Sequence, residues 1–281
     1  MSPTPSARPV LAAFEGVETS DGAGVSLTRL LGTSRLRMLD PFLMLDFFGS
    51  DQPQAYIAGF PEHPHRGFET VTYMLAGRMR HGDNHGHSGV IETGGVQWMT
   101  AGRGLLHSEM PEQEEGLLKG FQLWINLPQC LKMTEPRYQE FDAGKIPLET
   151  RADGGAVKAI AGTTSQGTSS PIRAEATDAR YFDVTLPPGG TFAEPLPAEH
   201  SAFLVVYEGA LEVSGEAVGA LRIAVLGEGE RVDVTAGTQG ARFLLLAGQP
   251  LNEPVAWGGP FVMNTREEVL QAFRDFEEGR F

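Results

Sequence analysis

The stretch PEHPHRGFETVTYMLAGRM, from Pro61 to Met79, joins two histidines one residue apart to a run of β-branched and aromatic residues. Successive side chains of a strand point to opposite faces, so His63 and His65 share a face if the segment is extended. The run after them, FETVTYML (68–75), has strand composition, and Gly77 ends it. The same pattern recurs in GVQWMTA (95–101), GFQLWINL (120–127), YFDVTL (181–186), AFLVVYEG (202–209), LRIAVLG (221–227) and ARFLLLAG (241–248). With 35 glycines and 19 prolines cutting the chain into such pieces, an all-β architecture is predicted.

A chain of 281 residues exceeds one ordinary core, so two domains are expected. TVTYMLAGRM (70–79) echoes FLVVYEGALEV (203–213), as tandem β-domains would. The polar, Gly/Ser/Thr-rich stretch from Phe141 to Ser170 marks the join, giving domains 1–142 and 143–281. Only NTREEVLQAFRDFEEGRF (264–281) reads as helix: a capping box from Thr265 to Glu268, then Val269, Leu270, Phe273 and Phe276 at helical spacing, with Gly279 as the stop.

The 22 basic and 36 acidic side chains give a formal charge of -14, and no Lys/Arg run breaks that balance, which argues against direct nucleic-acid binding. The N-terminus lacks both a secretory pattern and an apolar span, so a cytoplasmic protein away from membranes is expected, frayed at Pro3 and Pro5. Cys130 stands alone, excluding an intramolecular disulfide, and reads as a small, half-buried residue. Separate cores need no partner to complete them, so a monomer is expected.

Six of the seven histidines fall between residues 63 and 107. HSE (107–109) repeats the same-face geometry, so His63, His65, His107 and Glu109 can offer three imidazoles and a carboxylate from neighbouring strands. Such donors suit a divalent transition metal and leave octahedral positions open. Two competitors remain at this level. His85 and His87 are also spaced by two, in a glycine-rich segment (81–89) that reads as a turn, and Glu69 shares the face of His65 if the strand runs unbroken. Phe60, Phe68, Trp98, Met99 and Met110 flank these motifs and could wall an apolar cavity, with Arg66 and Arg103 beside it.

HPHRGFETVTYMLAG resembles the first cupin motif, H-x-H-x3-E followed by Gly, and QWMTAGRGLLHSEMP resembles the second, ending in Gly-x2-His. Their wording is similar to the pirin family over most of the N-terminal half and again in the final eighteen residues. The resemblance implies a bicupin of two stacked antiparallel β-barrels, the C-terminal helix returning to the first, with one metal there and none in the second. The ion implied is Fe(II), with Zn, Ni, Mn, Co or Cu as alternatives, held by His63, His65, His107 and Glu109. Glu69 would then orient a ligand imidazole or pair with Arg66. Bacterial pirins are similar to quercetinases, which implies a flavonol-like aromatic substrate opened with O2, Glu109 taking the substrate's proton. Eukaryotic pirins imply a second reading, a non-catalytic, iron-dependent, redox-sensing partner of a transcription factor or metabolic enzyme.

Overall fold

The computed structural model describes residues 6–152 and 154–281. The frayed start expected at Pro3 and Pro5 lies outside them. The described chain falls into two compact units. One takes the described residues up to Val17, Thr33–Asp40 and Lys145–Pro250; the other takes Glu18–Gly32, Pro41–Gly144 and Leu251–Phe281. The chain changes unit after Val17, Gly32, Asp40, Gly144 and Pro250. Each unit also holds a segment from the other end of the sequence, because β-pairing recruits partners irrespective of chain distance.

The chain opens with β1 (Val10–Glu15), β2 (Val17–Asp21), β3 (Val25–Leu31) and β4 (Phe42–Ser50). The histidine pair lies on β5 (Phe60–His65), followed by β6 (Phe68–Ala76), β7 (Arg78–Asp83), β8 (Ser88–Glu92), β9 (Val96–Thr100), β10 (Leu105–Pro111), β11 (Leu118–Asn126) and β12 (Arg137–Phe141). A seven-stranded antiparallel sheet runs β12-β9-β6-β11-β4-β3-β2, and a four-stranded one runs β5-β10-β7-β8. His81 belongs to β7 and Gly89 to β8, so the turn expected over 81–89 narrows to the residues between these strands.

The Lys145–Pro250 segment forms β13 (Leu148–Thr150), β14 (Ala156–Ala161), β15 (Arg180–Leu186), β16 (Thr191–Pro195), β17 (Ser201–Val213), β18 (Glu216–Gly219), β19 (Arg222–Leu226) and β20 (Arg231–Gly248). With β1 they make an antiparallel sheet ordered β1-β19-β17-β20-β15-β14-β13. Alternate residues enter one core: Phe182, Val184 and Leu186 from β15, Ala202, Leu204 and Val206 from β17, Phe243, Leu245 and Ala247 from β20. Burying each large side chain contributes about 1.5–3 kcal/mol. β17 and β20 are longer than expected, at 13 and 18 residues. Gly209 does not end β17; its φ of +71° lets the strand bulge and continue, and a Cβ there would meet the Gly240 carbonyl.

The last segment holds β21 (Ala256–Gly258), β22 (Phe261–Met263) and α1 (Arg266–Glu277). The capping box at Thr265 and Glu268 is present. At the other end the Gly279 and Arg280 N–H groups donate to the Phe276 and Asp275 carbonyls, and Gly279 takes φ +68°, a Schellman closure. Val269 and Ala272 are buried, whereas Leu270 is exposed, which narrows the expected apolar stripe. Phe273 packs its ring 4.8 Å from that of Phe261.

This segment zips onto the turn after the histidine pair. Arg66 N–H donates to the Pro260 carbonyl, and the Arg66 carbonyl accepts from Val262 N–H. Gly67 sits at φ +89° with no room for a Cβ beside the Val262 carbonyl. Lys132 is buried, and its ammonium donates to the Gly67 and Val262 carbonyls at 2.8 Å and to Asn126 Oδ1 at 2.7 Å. Cys130, expected to be half-buried, is exposed. No helix among the described residues is long and apolar enough to cross a membrane.

Candidate metal centre and its cavity

β5 and β10 are antiparallel neighbours in which His63 stands opposite His107 and His65 opposite Leu105. The register brings three rings together: His63 Nε2 lies 3.0 Å from His65 Nε2 and 3.0 Å from His107 Nε2. Among the described residues, these three imidazoles are the group whose ligand atoms all approach within 4.8 Å. His63 Nδ1 faces the Pro61 carbonyl at 2.8 Å. A carbonyl only accepts, so the His63 proton sits on Nδ1 and the Nε2 lone pair points at its neighbours. Burial, then the neighbouring imidazoles, push His65 and His107 well below the usual histidine range, which keeps both neutral.

Imidazoles converging through Nε2 are the donor set a divalent transition metal selects. Two ligand nitrogens at right angles, each about 2.1 Å from an ion, stand about 3 Å apart. The 3.0 Å separations of His63 Nε2 from the other two fit that arrangement.

Glu109 is not part of the three-imidazole group. Its Oε1 lies 2.7 Å from Thr72 Oγ1, and its Oε2 accepts from Gln122 Nε2 at 3.2 Å. β10 stays in regular register with β7 through His107, Ser108 and Glu109, so alternation keeps His107 and Glu109 on one face; the irregularity in the pairing with β5 puts an extra residue on β5. Burial raises the Glu109 pKa, with Thr72 pulling the other way. Thr72 Oγ1 also lies 2.6 Å from Gln122 Oε1, and a hydroxyl has one proton. When Glu109 is ionised, Thr72 donates to it; when Glu109 is protonated, the acid donates to Thr72, which turns its proton to Gln122. Both protonation states of the carboxyl are therefore hydrogen-bonded.

These contacts belong to a polar row across the seven-stranded sheet. Glu140, Gln97, Thr72, Gln122, Asp46 and Arg29 are successive cross-strand partners from β12 to β3. Gln97 Nε2 donates to Glu140 Oε2, which also lies 2.7 Å from His81 Nε2. Arg29 grips Asp46 with two bonds, of 2.8 and 2.7 Å. The next row holds Thr70, Trp124 and Met44 on β6, β11 and β4.

A cavity of about 630 Å³ opens beside the imidazoles, lined by His63, His65, Glu109 and Gln122 and walled by Trp124, Trp257, Met44, Phe48 and Phe60. That is the size of a small-molecule site. Of the five apolar residues expected at the wall, Phe60 alone lines it; Phe68, Trp98 and Met99 are core. Trp124 stacks edge-on to His65, with ring centroids 5.0 Å apart, and lies 6.0 Å from Trp257.

The competitors separate from the site. The chain turns at Arg66 and Gly67 between β5 and β6, so strand parity does not carry from His65 to Glu69. Glu69 accepts from Thr100 rather than pairing with Arg66, whose guanidinium bonds Asp275 and the Arg103 carbonyl. Arg103 makes a solvent-exposed pair with Glu135. His85 lies in the turn, and His87 bonds Asp83 at 3.0 Å.

Two family models match the chain: Pirin over residues 24–125, and Pirin C-terminal cupin domain over residues 181–281. The Pirin-like protein of Caulobacter vibrioides is 59% identical over 274 residues, 98% of this chain and 99% of that one. Pirin of Homo sapiens is 42% identical over 269 residues, 94% of this chain and 90% of that one. Among solved structures, quercetin 2,3-dioxygenase from Acinetobacter baumannii superposes with a TM-score of 0.90 at 35% identity, covering 98% of this chain and 99% of that one.

Proposed function

The chain belongs to the pirin family, and from that premise we propose that it is a mononuclear-metal dioxygenase that opens a flavonol-type aromatic with O2. His63, His65, His107 and Glu109 would hold the ion, Fe(II). The observation that carries this reading is the convergence of three Nε2 atoms, two of them from histidines that line an aromatic-walled cavity. The solved relative named for quercetin 2,3-dioxygenase, alike over nearly the whole chain, supports the substrate class.

The metal would supply Lewis acidity and a redox partner for O2. The remaining work falls to the chain. Trp124 and Trp257 present flat apolar faces for a planar ring system. Glu109 lines the cavity beside the imidazoles, a carboxylate placed to take the proton of an aromatic hydroxyl onto Oε1 or Oε2. Thr72 and Gln122 hold that carboxyl and accommodate the added proton.

Anaerobic reconstitution with Fe(II), followed by quercetin and O2, tests the reading through loss of flavonol absorbance and release of carbon monoxide. Turnover absent in His63→Ala, and largely lost in Glu109→Gln while metal is retained, is expected. One equivalent of redox-active iron with no turnover would sink the enzyme reading and favour the metal-gated interaction protein.

A further inference from the structure

We infer that Arg29 and Asp46 form a recognition subsite for a pair of adjacent phenolic hydroxyls on the substrate, an inference that rests on the aromatic-dioxygenase reading above. Both residues line the same cavity as His63, His65 and Glu109. In the polar row they stand one and two strands beyond Gln122, the residue that bonds Glu109. Strand spacing puts them about 5 and 10 Å from it across the sheet. A planar substrate reaching from the imidazoles past Trp124 would end against this pair.

The hydrogen-bond inventory of the pair is incomplete in a telling way. Arg29 Nε and Nη2 bond the two Asp46 oxygens, and Nη2 also bonds Asp21 Oδ2 at 2.9 Å. Nη1 makes no hydrogen bond among the described residues. Each Asp46 oxygen accepts one bond and has capacity for another. The pair thus offers a spare donor beside a spare acceptor. Adjacent hydroxyls on an aromatic ring need that combination: one O–H donates to Asp46 while the neighbouring oxygen accepts from Arg29 Nη1. A hydrocarbon ring edge would leave both unmet.

The competing role is a plain cross-strand tie between β3 and β4. The Asp46 side chain is only 4% exposed, and buried ion pairs hold proteins together no better than well-packed apolar side chains of similar volume. Recognition gives the pair a reason to face the cavity.

The test is equilibrium binding to the Fe(II)-reconstituted full chain under anaerobic conditions, read by tryptophan fluorescence. The probes are quercetin and the flavonol lacking both hydroxyls on the outer ring. The expected result is quercetin binding at least about tenfold tighter, a preference that collapses towards unity in the Arg29→Met, Asp46→Leu double variant. That variant removes both charges together and strands neither. Should it fail to fold, Asp46→Asn carries the test, with a reduced preference expected. Equal affinities in the wild type, or a preference unchanged in the variants, overturn the subsite and leave the aromatic reading standing. Binding of neither probe overturns both.

Discussion

His63 and His107 face each other directly across β5 and β10, with their Nε2 atoms 3.0 Å apart. Either ring lost leaves two imidazoles where three converged. His107→Ala is expected to lower metal content from about one ion per chain to under about a tenth, since outer partners alone cost up to ~100-fold in affinity and a ligand costs more. Elemental analysis after dialysis checks this, and near-wild-type occupancy would place the ion elsewhere.

Thr72 is the switch that keeps Glu109 hydrogen-bonded in both protonation states. Thr72→Val removes the hydroxyl at almost constant volume. Turnover should fall by about 10–100-fold while the bound metal persists. Steady-state kinetics beside metal analysis separates this from simple loss of the ion.

Lys132 donates to three buried oxygens, and burial pulls its pKa down to about 7 against Glu253 and Glu268. An unfolded lysine titrates near ~10.4, so between these values the unfolded chain binds more protons and stability rises with pH. Denaturant midpoints should climb from pH 7 to 10 in the wild type, and this slope should be missing in Lys132→Met. That variant also strands three acceptors, costing about 3 kcal/mol.

Asp275 accepts from Arg66, Arg280 and Gln271, and these bonds, outweighing its burial, hold its carboxyl below the usual range. Its contribution is fully present above the ordinary carboxylate pKa of about 4 and fades as pH falls through the lower folded value. Asp275→Asn should cost about 2 kcal/mol at neutral pH and progressively less in acid. Thermal melts of both proteins from pH 7 to 3 measure the convergence.

The strands were legible because alternation survives in Phe182, Val184 and Leu186 as plainly as in Thr70 and Thr72. The His63 and His65 pair was legible because spacing by two on an extended chain fixes a face, while His107 joins them through the register of β10 against β5. The polar row was half visible: Asp46 interrupts FLMLDFF and Gln122 interrupts GFQLW, each a polar residue in an apolar strand that must find a buried partner. Which partner depends on register between strands far apart in sequence, and no local pattern encodes that. Trp257 was invisible as a cavity residue, since it joins His65 across some 190 positions. The bulge at Gly209 misled for a related reason, because a glycine reads alike whether it ends a strand or bends one.

Trp257, Gly259 and Pro260 line the cavity, and the Val262 carbonyl that follows them accepts a hydrogen bond from the Lys132 ammonium. A ribosome delivers the three histidines well over a hundred residues before it delivers this wall. During synthesis the three imidazoles are all made while the cavity still lacks this side. A polypeptide broken off before Trp257 would carry the three histidines without this wall. Translation of the last segment is thereby what gives the cavity this side.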